Sequence, residues 1–421
     1  MTLKTHIRNL VLLWLSWAII LSAYQIYVSW RMVPQGPDYG LSWTPSNTTE
    51  PDQNQYRDPI QAFITQHHGW DSEYYLSIAM HGYNDPAMRA IPENYSWNNP
   101  LTSTNAEHPE WISMNYAFFP FYPFMIRLFS YPLNLFPIQP FDAAVLAGVL
   151  VSLLGTLAAM IAIYDIAKDQ LQTSGAMRAA FYLLIWPASI FLAQVYTEGL
   201  FLGLSFAAIA LSKRNKWIPA AILAAAATWT RASGALLIIP MCWYWWKSGC
   251  FKQLFEEFNL KKIATLLLVI SPAIAYGIWN LIYGQPFHII ETNFFSRNLL
   301  AIRQTWGTFH AQVLPAITGN NLQSKAYYLL ECFGILFGFG ASFALLKRYP
   351  GIAIYSLALI LFSLTTGPIQ GMHRYVMGAP VIFLLPALWG KHEVFDRAWS
   401  LANILLMGVL AAIFSYGFFA G

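Results

Sequence analysis

FDAAVLAGVLVSLLGTLAAMIAIYDI, residues 141–166, carries charge only at Asp142 and Asp165 and is otherwise almost wholly apolar. A helix crossing a bilayer core needs about 20 apolar residues, so this run is long enough to span one. Comparable runs recur at approximately 9–30, 176–195, 198–212, 217–232, 234–247, 263–283, 326–346, 351–367, 374–390 and 399–420, which makes eleven. Of 421 residues, 57% are hydrophobic and 10% charged, whereas soluble domains carry roughly a quarter charged residues. In lipid the backbone polar groups must be satisfied within each segment, which leaves helices as the spanning elements. The expected fold is therefore an all-α polytopic membrane protein, one integral unit over residues 1–421 with 31–140 as a large first extracytoplasmic loop. Lys4 and Arg8 precede an apolar run from Leu10 to about Trp30 that is too long for a signal h-region and lacks a clear cleavage site, so it reads as a retained first span. Cys242, Cys250 and Cys332 show no metal-ligand spacing and read as packing residues.

The net charge of +4 conceals a segregation. If the N-terminus is cytoplasmic, the inner segments hold ten of the eleven lysines, Lys325 alone falling outside. That is the bias of the positive-inside rule, and miscounting one span would scramble it. The outward basic residues are otherwise arginines: Arg31, Arg57, Arg89, Arg127, Arg231, Arg297, Arg303 and Arg374. Planar guanidinium forks suit phosphate and carboxylate, so a cluster of them at the outer face can hold an anionic headgroup; interfacial anchoring is the bland alternative.

The first loop faces outward on this reading, and it contains HHGWDSEYYLSIAMHGY, residues 67–83. Trp70, Tyr74 and Ile78 share one helical face and Tyr75 and Ala79 a neighbouring one, with Asp71 placed to cap the start and Gly82 the end. Asp71 is thus an ordinary N-cap, or a carboxylate aimed into a cleft where it accepts a proton from a hydroxyl; both roles coexist only if different oxygens serve them. Asp71 and Glu73 beside His67, His68 and His81 do not match a closed zinc motif, although an Asp-x-Glu pair suits Mg²⁺ or Mn²⁺ held against phosphate. Glu73 and one of the histidines read better as supporting or headgroup contacts.

Elsewhere, FFPFYPFMIR at 118–127 reads as an aromatic helix along the outer interface ending in Arg127. Arg231 in TRASG and Arg374 in HRY lie at the outer ends of two spans, where they can bring charge to one level of the bilayer. Arg297 and Arg303, six residues apart, point about 120° from each other on a helix, so at most one faces a shared site. Glu198, starting a span from outside, can pair with an arginine or accept from a ligand hydroxyl. Trp43, Trp97 and Trp111 can stack on a ligand's rings, but tryptophan is expected at an interface anyway. Asn47-Thr48-Thr49 and Asn94-Tyr95-Ser96 match the glycan-acceptor pattern, which arises easily by chance in such loops.

WDSEYYLSIAMHGY resembles the first-loop signature of the PIG-V family, GPI mannosyltransferase II and its prokaryotic relatives. FFPFYPFMIR, VYTEGLF at 195–201, TRASG at 230–234 and HRYVMGAP at 373–380 agree in order; Gly199, where a small polar residue is expected, and a long insertion over 84–114 depart from the pattern. The resemblance implies a GT-C glycosyltransferase that uses a polyprenyl-phosphate sugar, with dolichol phosphate mannose as the eukaryotic form, and a glycolipid or glycoprotein acceptor. It makes Asp71 the general base of an inverting single displacement. Trp70, Glu73, Tyr75, His81, Glu198, Arg231, His373 and Arg374 become candidate substrate contacts. It names no certain cofactor, a divalent cation (Mg²⁺ or Mn²⁺) being the candidate, and no nucleic-acid partner is expected. The active site faces outward from a prokaryotic plasma membrane or into the lumen of the endoplasmic reticulum. Rival readings are a flippase for lipid-linked sugars, a non-catalytic headgroup binder, and the same chemistry with glucose or arabinose.

Overall fold

The computed structural model describes residues 3–32, 37–41, 44, 59–98, 100–249 and 260–421. Trp43, the Asn47-Thr48-Thr49 triplet, Arg57, Cys250 and Lys252 lie outside these residues. Helix α1 (Leu3–Arg31) is followed by two short helices, α2 (Pro59–His67) and α3 (Ser72–His81), and then by the interfacial helix α4 (Phe121–Leu133). The bundle centre is α5 (Pro140–Ile185), broken at Gln172 where φ is +58°, and α6 (Glu198–Lys213). Next come α7 (Trp217–Thr228), α8 (Ile238–Lys247), α9 (Leu260–Val269) and α10 (Ser271–Ile289). Further on lie α11 (Leu322–Leu345), α12 (Pro350–Leu364), α13 (Met372–Tyr375), α14 (Val381–Trp389) and α15 (Glu393–Ser415).

Three short antiparallel strands, in the order Ser103–Thr104, Arg89–Ile91, Ile112–Ser113, interrupt the all-helical expectation inside the stretch expected as insertion. They fold that polar loop onto itself, with Ala90 paired to both Ser103 and Ser113.

The chain is a multi-pass membrane protein, but the spans are more broken than the apolar runs imply. Among the described residues four helices are long and apolar enough to cross, and a fifth if the pair Ile263–Val269 and Ser271–Phe294, bent by 62°, counts as one. The expected span 176–195 ends as α-helix at Ile185 and continues as a 3₁₀ turn from Pro187 to Leu192. The expected span 374–390 is divided into two short helices and a 3₁₀ turn before Pro380. Proline lacks the amide proton a continuous helix needs. A hydropathy window does not register this, because these breaks stay apolar.

Helices α5 and α6 pack backbone to backbone through small residues, as membrane helices do. A Cβ added at Gly199 would lie 2.2 Å from the Ser152 carbonyl oxygen, and one at Gly155 would lie 2.5 Å from that of Gly199. Position 199, where the resemblance led us to expect a polar residue, thus has no room for any side chain. The Ser152 hydroxyl donates to the Tyr196 carbonyl (2.9 Å) and that of Thr156 to Leu192 (3.0 Å), tying the turn before α6 to α5. Gly199→Val should therefore destabilise by about 3 kcal/mol or more, since overpacking forces the helices apart. Gly277→Ala, with no neighbour within 4 Å, should be neutral or slightly stabilising. Thermal melts of the two variants in detergent check this.

The two ends of α6 differ in kind. At its C-terminal end Lys213 pairs with Asp169 (2.7 Å), Lys168 with Asp165 (2.7 Å), and Arg214 also meets Asp165. At the other end, 15 positions away and so about 22 Å, Glu198 enters the arginine cluster described next.

Candidate active site

Asp71 is positioned by a pinned turn. The Tyr196 hydroxyl donates to the Gly69 carbonyl (3.1 Å), the Val195 amide to that of His67 (3.1 Å), and Trp70 sits at φ +58°. That left-handed conformation is unfavourable for a bulky residue and persists only where surroundings enforce it. It turns the chain into α3 immediately after Asp71. Helix α3 begins and ends where its sequence signals, but the Asp71 side chain makes no capping hydrogen bond. Instead its Oδ2 accepts from both Nη atoms of Arg374, at 3.2 Å each. Oδ1 has no hydrogen-bond partner among the described residues, and the side chain is 34% exposed.

Four chain segments converge here. Gly371, at φ +70°, starts α13 and so presents Arg374 and Tyr375. Glu198 sits in the first turn of α6, where a carboxylate complements the helix dipole. Its Oε1 accepts from Arg231 at 2.6 Å and lies 3.3 Å from Arg374 Nε. Arg231 is held in extended backbone between α7 and a 3₁₀ turn. Arg374 also lies 5.1 and 5.3 Å from the rings of Phe191 and Tyr196. The anticipated pairing of Glu198, and the meeting of two arginines from different spans, are both present. Arg297 approaches the cluster from the loop after α10, donating to the Tyr375 hydroxyl at 2.9 Å, whereas Arg303 is exposed on the short helix Ile302–Thr308.

These groups line a cavity of about 1160 Å³ whose wall also includes Trp70, Glu73, Tyr75, Arg89, Trp97 and Glu291. Tyr75 is buried against Phe118 and Tyr122 (ring centroids 5.1 and 5.2 Å). Desolvation raises the Glu73 carboxyl above its ordinary range, with Tyr74 and Arg89 pulling the other way. Trp97, 61% exposed, donates its indole N–H to the Phe294 carbonyl. Trp111 instead stacks on His108 at 4.1 Å.

The histidines fall elsewhere. His81 is exposed at the far end of α3, ten residues on from Asp71, and is not part of the cavity wall. His373 is buried behind the wall, with Nδ1 3.0 Å from Glu331 and Nε2 2.9 Å from the Ala420 carbonyl. His68 packs edge-on to Phe141. His67 is buried, with Nδ1 2.7 Å from the Phe63 carbonyl, and burial pushes its pKa from 6.5 to about 4. Between those values the unfolded chain binds a proton that the folded chain does not. Stability should therefore fall by on the order of 3 kcal/mol as pH drops from 7 to 4. A His67→Gln variant should lack that part of the slope in melts recorded across this range.

Arg127 is also structural: its guanidinium donates to the carbonyls of Ala79 (2.6 Å) and Ile78 (3.3 Å), closing the end of α3. Helix α4 buries Tyr122 and Ile126 and exposes Phe124, Leu128 and Tyr131, an apolar outer face suited to lipid. Among the described residues no three His, Cys, Asp or Glu come together to hold a metal ion. Asp71 Oδ2 already accepts from the Arg374 guanidinium.

Glu331 of α11 is a residue the sequence reading missed. Fully buried, it accepts from the backbone amides of Gly371 (2.6 Å) and His373 (2.8 Å), and so fixes the turn that presents Arg374. The available signal was a single carboxylate inside the apolar run 326–346, because intramembrane carboxylates are paired or functional.

Comparison with known proteins finds likeness to the same family. Residues 86–283 match the family model described as mannosyltransferase (PIG-V), a stretch containing Glu198 and Arg231 but beginning after Asp71 and ending before Arg374. The chain is 29% identical over 170 residues to GPI alpha-1,6-mannosyltransferase 2 of Mus musculus, covering 39% of this chain and 29% of that one. It is 28% identical over 177 residues to the Cricetulus griseus protein of the same name, covering 40% and 29%. The match thus spans under a third of these relatives' length. Among solved structures, ArnT from Cupriavidus metallidurans bound to undecaprenyl phosphate aligns with TM-score 0.45 and 14% identity, over 84% of this chain and 68% of that one. The oligosaccharyltransferase AglB from Archaeoglobus fulgidus, with inhibitory peptide and dolichol-phosphate, aligns with TM-score 0.40 and 16% identity, over 95% and 55%. Likenesses at that level transfer no residue's role. Residues 86–283, just under half of the chain, are thus similar to the mannosyltransferase (PIG-V) family, in agreement with the motif order read from the sequence.

Proposed function

We propose that the protein transfers a hexose, mannose by its likeness to the mannosyltransferase (PIG-V) model, from a polyprenyl-phosphate donor to a lipid- or protein-linked acceptor on the extracytoplasmic or lumenal face of the membrane. The observation that carries this is the meeting of Asp71, Glu198, Arg231 and Arg374 on one wall of the cavity. A sugar esterified to a phosphate has a leaving group that departs as an anion, and fixed guanidiniums stabilise that charge where it develops. Asp71 Oδ2 is held by Arg374, which leaves Oδ1 to take the proton of the acceptor hydroxyl as its oxygen attacks the anomeric carbon. One displacement suffices, with no second carboxylate acting as nucleophile, and it inverts the configuration. Residues 31–140 form the outward unit that carries the base, and Trp97 offers an exposed ring on which a sugar can stack. The mannose assignment draws on the name of the two mammalian relatives. Purified protein offered a panel of radiolabelled polyprenyl-phosphate sugars and glycolipid or glycopeptide acceptors tests the reading. Label should move from the mannosyl donor to an acceptor, with or without a chelator; failure to consume any donor would remove the assignment.

A further inference from the structure

We propose that Tyr375 is a catalytic residue of this transfer, its hydroxyl donating a hydrogen bond to the phosphate oxygen that leaves the sugar. The inference rests on the glycosyl-transfer reading above and adds a group that reading does not use. A phenol hydroxyl has two lone pairs and one proton. At Tyr375 the oxygen accepts from Arg297 Nη2 at 2.9 Å and from Arg374 Nη2 at 3.3 Å, so both lone pairs are engaged. Among the described residues its proton is donated to no protein group, and Tyr375 lines the cavity beside Asp71. Two guanidiniums therefore aim the O–H away from themselves, and by polarising it they make it a stronger donor.

The surroundings select an anion as the recipient. The guanidinium carbons of Arg231, Arg297 and Arg374 lie 5.0, 5.5 and 5.2 Å from the Tyr375 ring centroid. A neutral hydroxyl amid three cations adds a hydrogen bond to a bound phosphate without adding a competing negative charge. In the step itself, the bond from the acceptor oxygen to the anomeric carbon forms as the bond from that carbon to the phosphate oxygen breaks. The electron pair of the broken bond stays on the phosphate, and the acceptor's proton goes to Asp71. Tyr375 keeps its proton, shared in a hydrogen bond with the departing oxygen.

The test compares wild type with Tyr375→Phe in the full-length protein, using sugar phosphodiesters whose leaving phosphate carries alkyl, phenyl or nitrophenyl groups. The phenylalanine keeps the ring among the arginines and removes only the hydroxyl. We expect kcat to fall 10- to 100-fold with the alkyl donor and the deficit to shrink as the leaving group improves. A purely structural role would lower all donors alike. A uniform deficit, or activity within twofold of wild type, overturns the proposal while leaving the transferase reading intact. Lack of turnover by the wild type overturns both. If the phenylalanine variant does not fold, a fluorinated tyrosine at 375 serves. Its more acidic phenol should move the alkaline fall in kcat to lower pH, and an unmoved profile counts against the role.

Discussion

Asp71→Asn should lower turnover by about 10²- to 10⁴-fold, the range that a positioned general base contributes, while binding of polyprenyl phosphate persists. Asparagine keeps the shape of the side chain and its contact with one guanidinium, but has no lone pair basic enough to accept the acceptor's proton. Arg374 retains Glu198 at 3.3 Å as a counter-charge, so the anion-binding wall remains assembled. Initial rates and equilibrium binding of the product lipid, measured on the same preparation, separate the two effects. A flippase or headgroup binder would barely notice this substitution. Activity within tenfold of wild type would remove Asp71 from the role.

Glu198→Ala acts on the fold instead. Glu198 and Arg374 side chains are 2% and 6% exposed and Arg231 20% exposed, and one carboxylate oxygen serves both guanidiniums. Removing it leaves Arg231 without its counter-charge and Arg374 with Asp71 alone, and breaking a buried pair in this way costs about 3–5 kcal/mol. The melting temperature in detergent should drop sharply, and polyprenyl phosphate should restore part of the loss by supplying an anion to the same place. An unchanged melting temperature would mean that the arginines find other partners and that Glu198 does not organise the wall.

What the sequence disclosed and what it hid follow from the range of the interactions. Asp71 was legible because its signal is local: a Trp-Asp pair opening a short amphipathic helix, inside an acidic loop opposite the lysine-rich segments. Glu198, Arg231 and Arg374 were legible as candidates because charge at the end of an apolar run stands out. Their convergence was not, because Arg374 and Asp71 are 303 positions apart and periodicity says nothing about which helix ends meet. His81 lies away from the cavity wall for the opposite reason: nearness in sequence to Asp71 becomes distance along a helix ten residues on. Tyr375 and Glu331 escaped because an aromatic beside an arginine, and one acid in a long apolar run, gain meaning only when the Gly371 turn brings them to the same corner. The eleven apolar runs overstated the number of unbroken crossings for a similar reason. Pro187 and Pro380 stand where the helices break without making these runs less apolar.

The arrangement divides labour between two faces of one guanidinium cluster. Arg374 holds Asp71 on one side and Glu198 on the other, so the base and the anion-binding wall are set by a single residue that Glu331 fixes from behind. On the proposed function such a site would perform one in-line displacement, with a carboxylate for the incoming oxygen and cations for the outgoing one. The most direct measurement is the anomeric configuration of the transferred sugar, read by NMR on product made by the purified protein from a polyprenyl-phosphate donor of known configuration. Inversion is the expected result. Retention, or a sugar trapped covalently on Asp71, would contradict the assignment of Asp71 as a base.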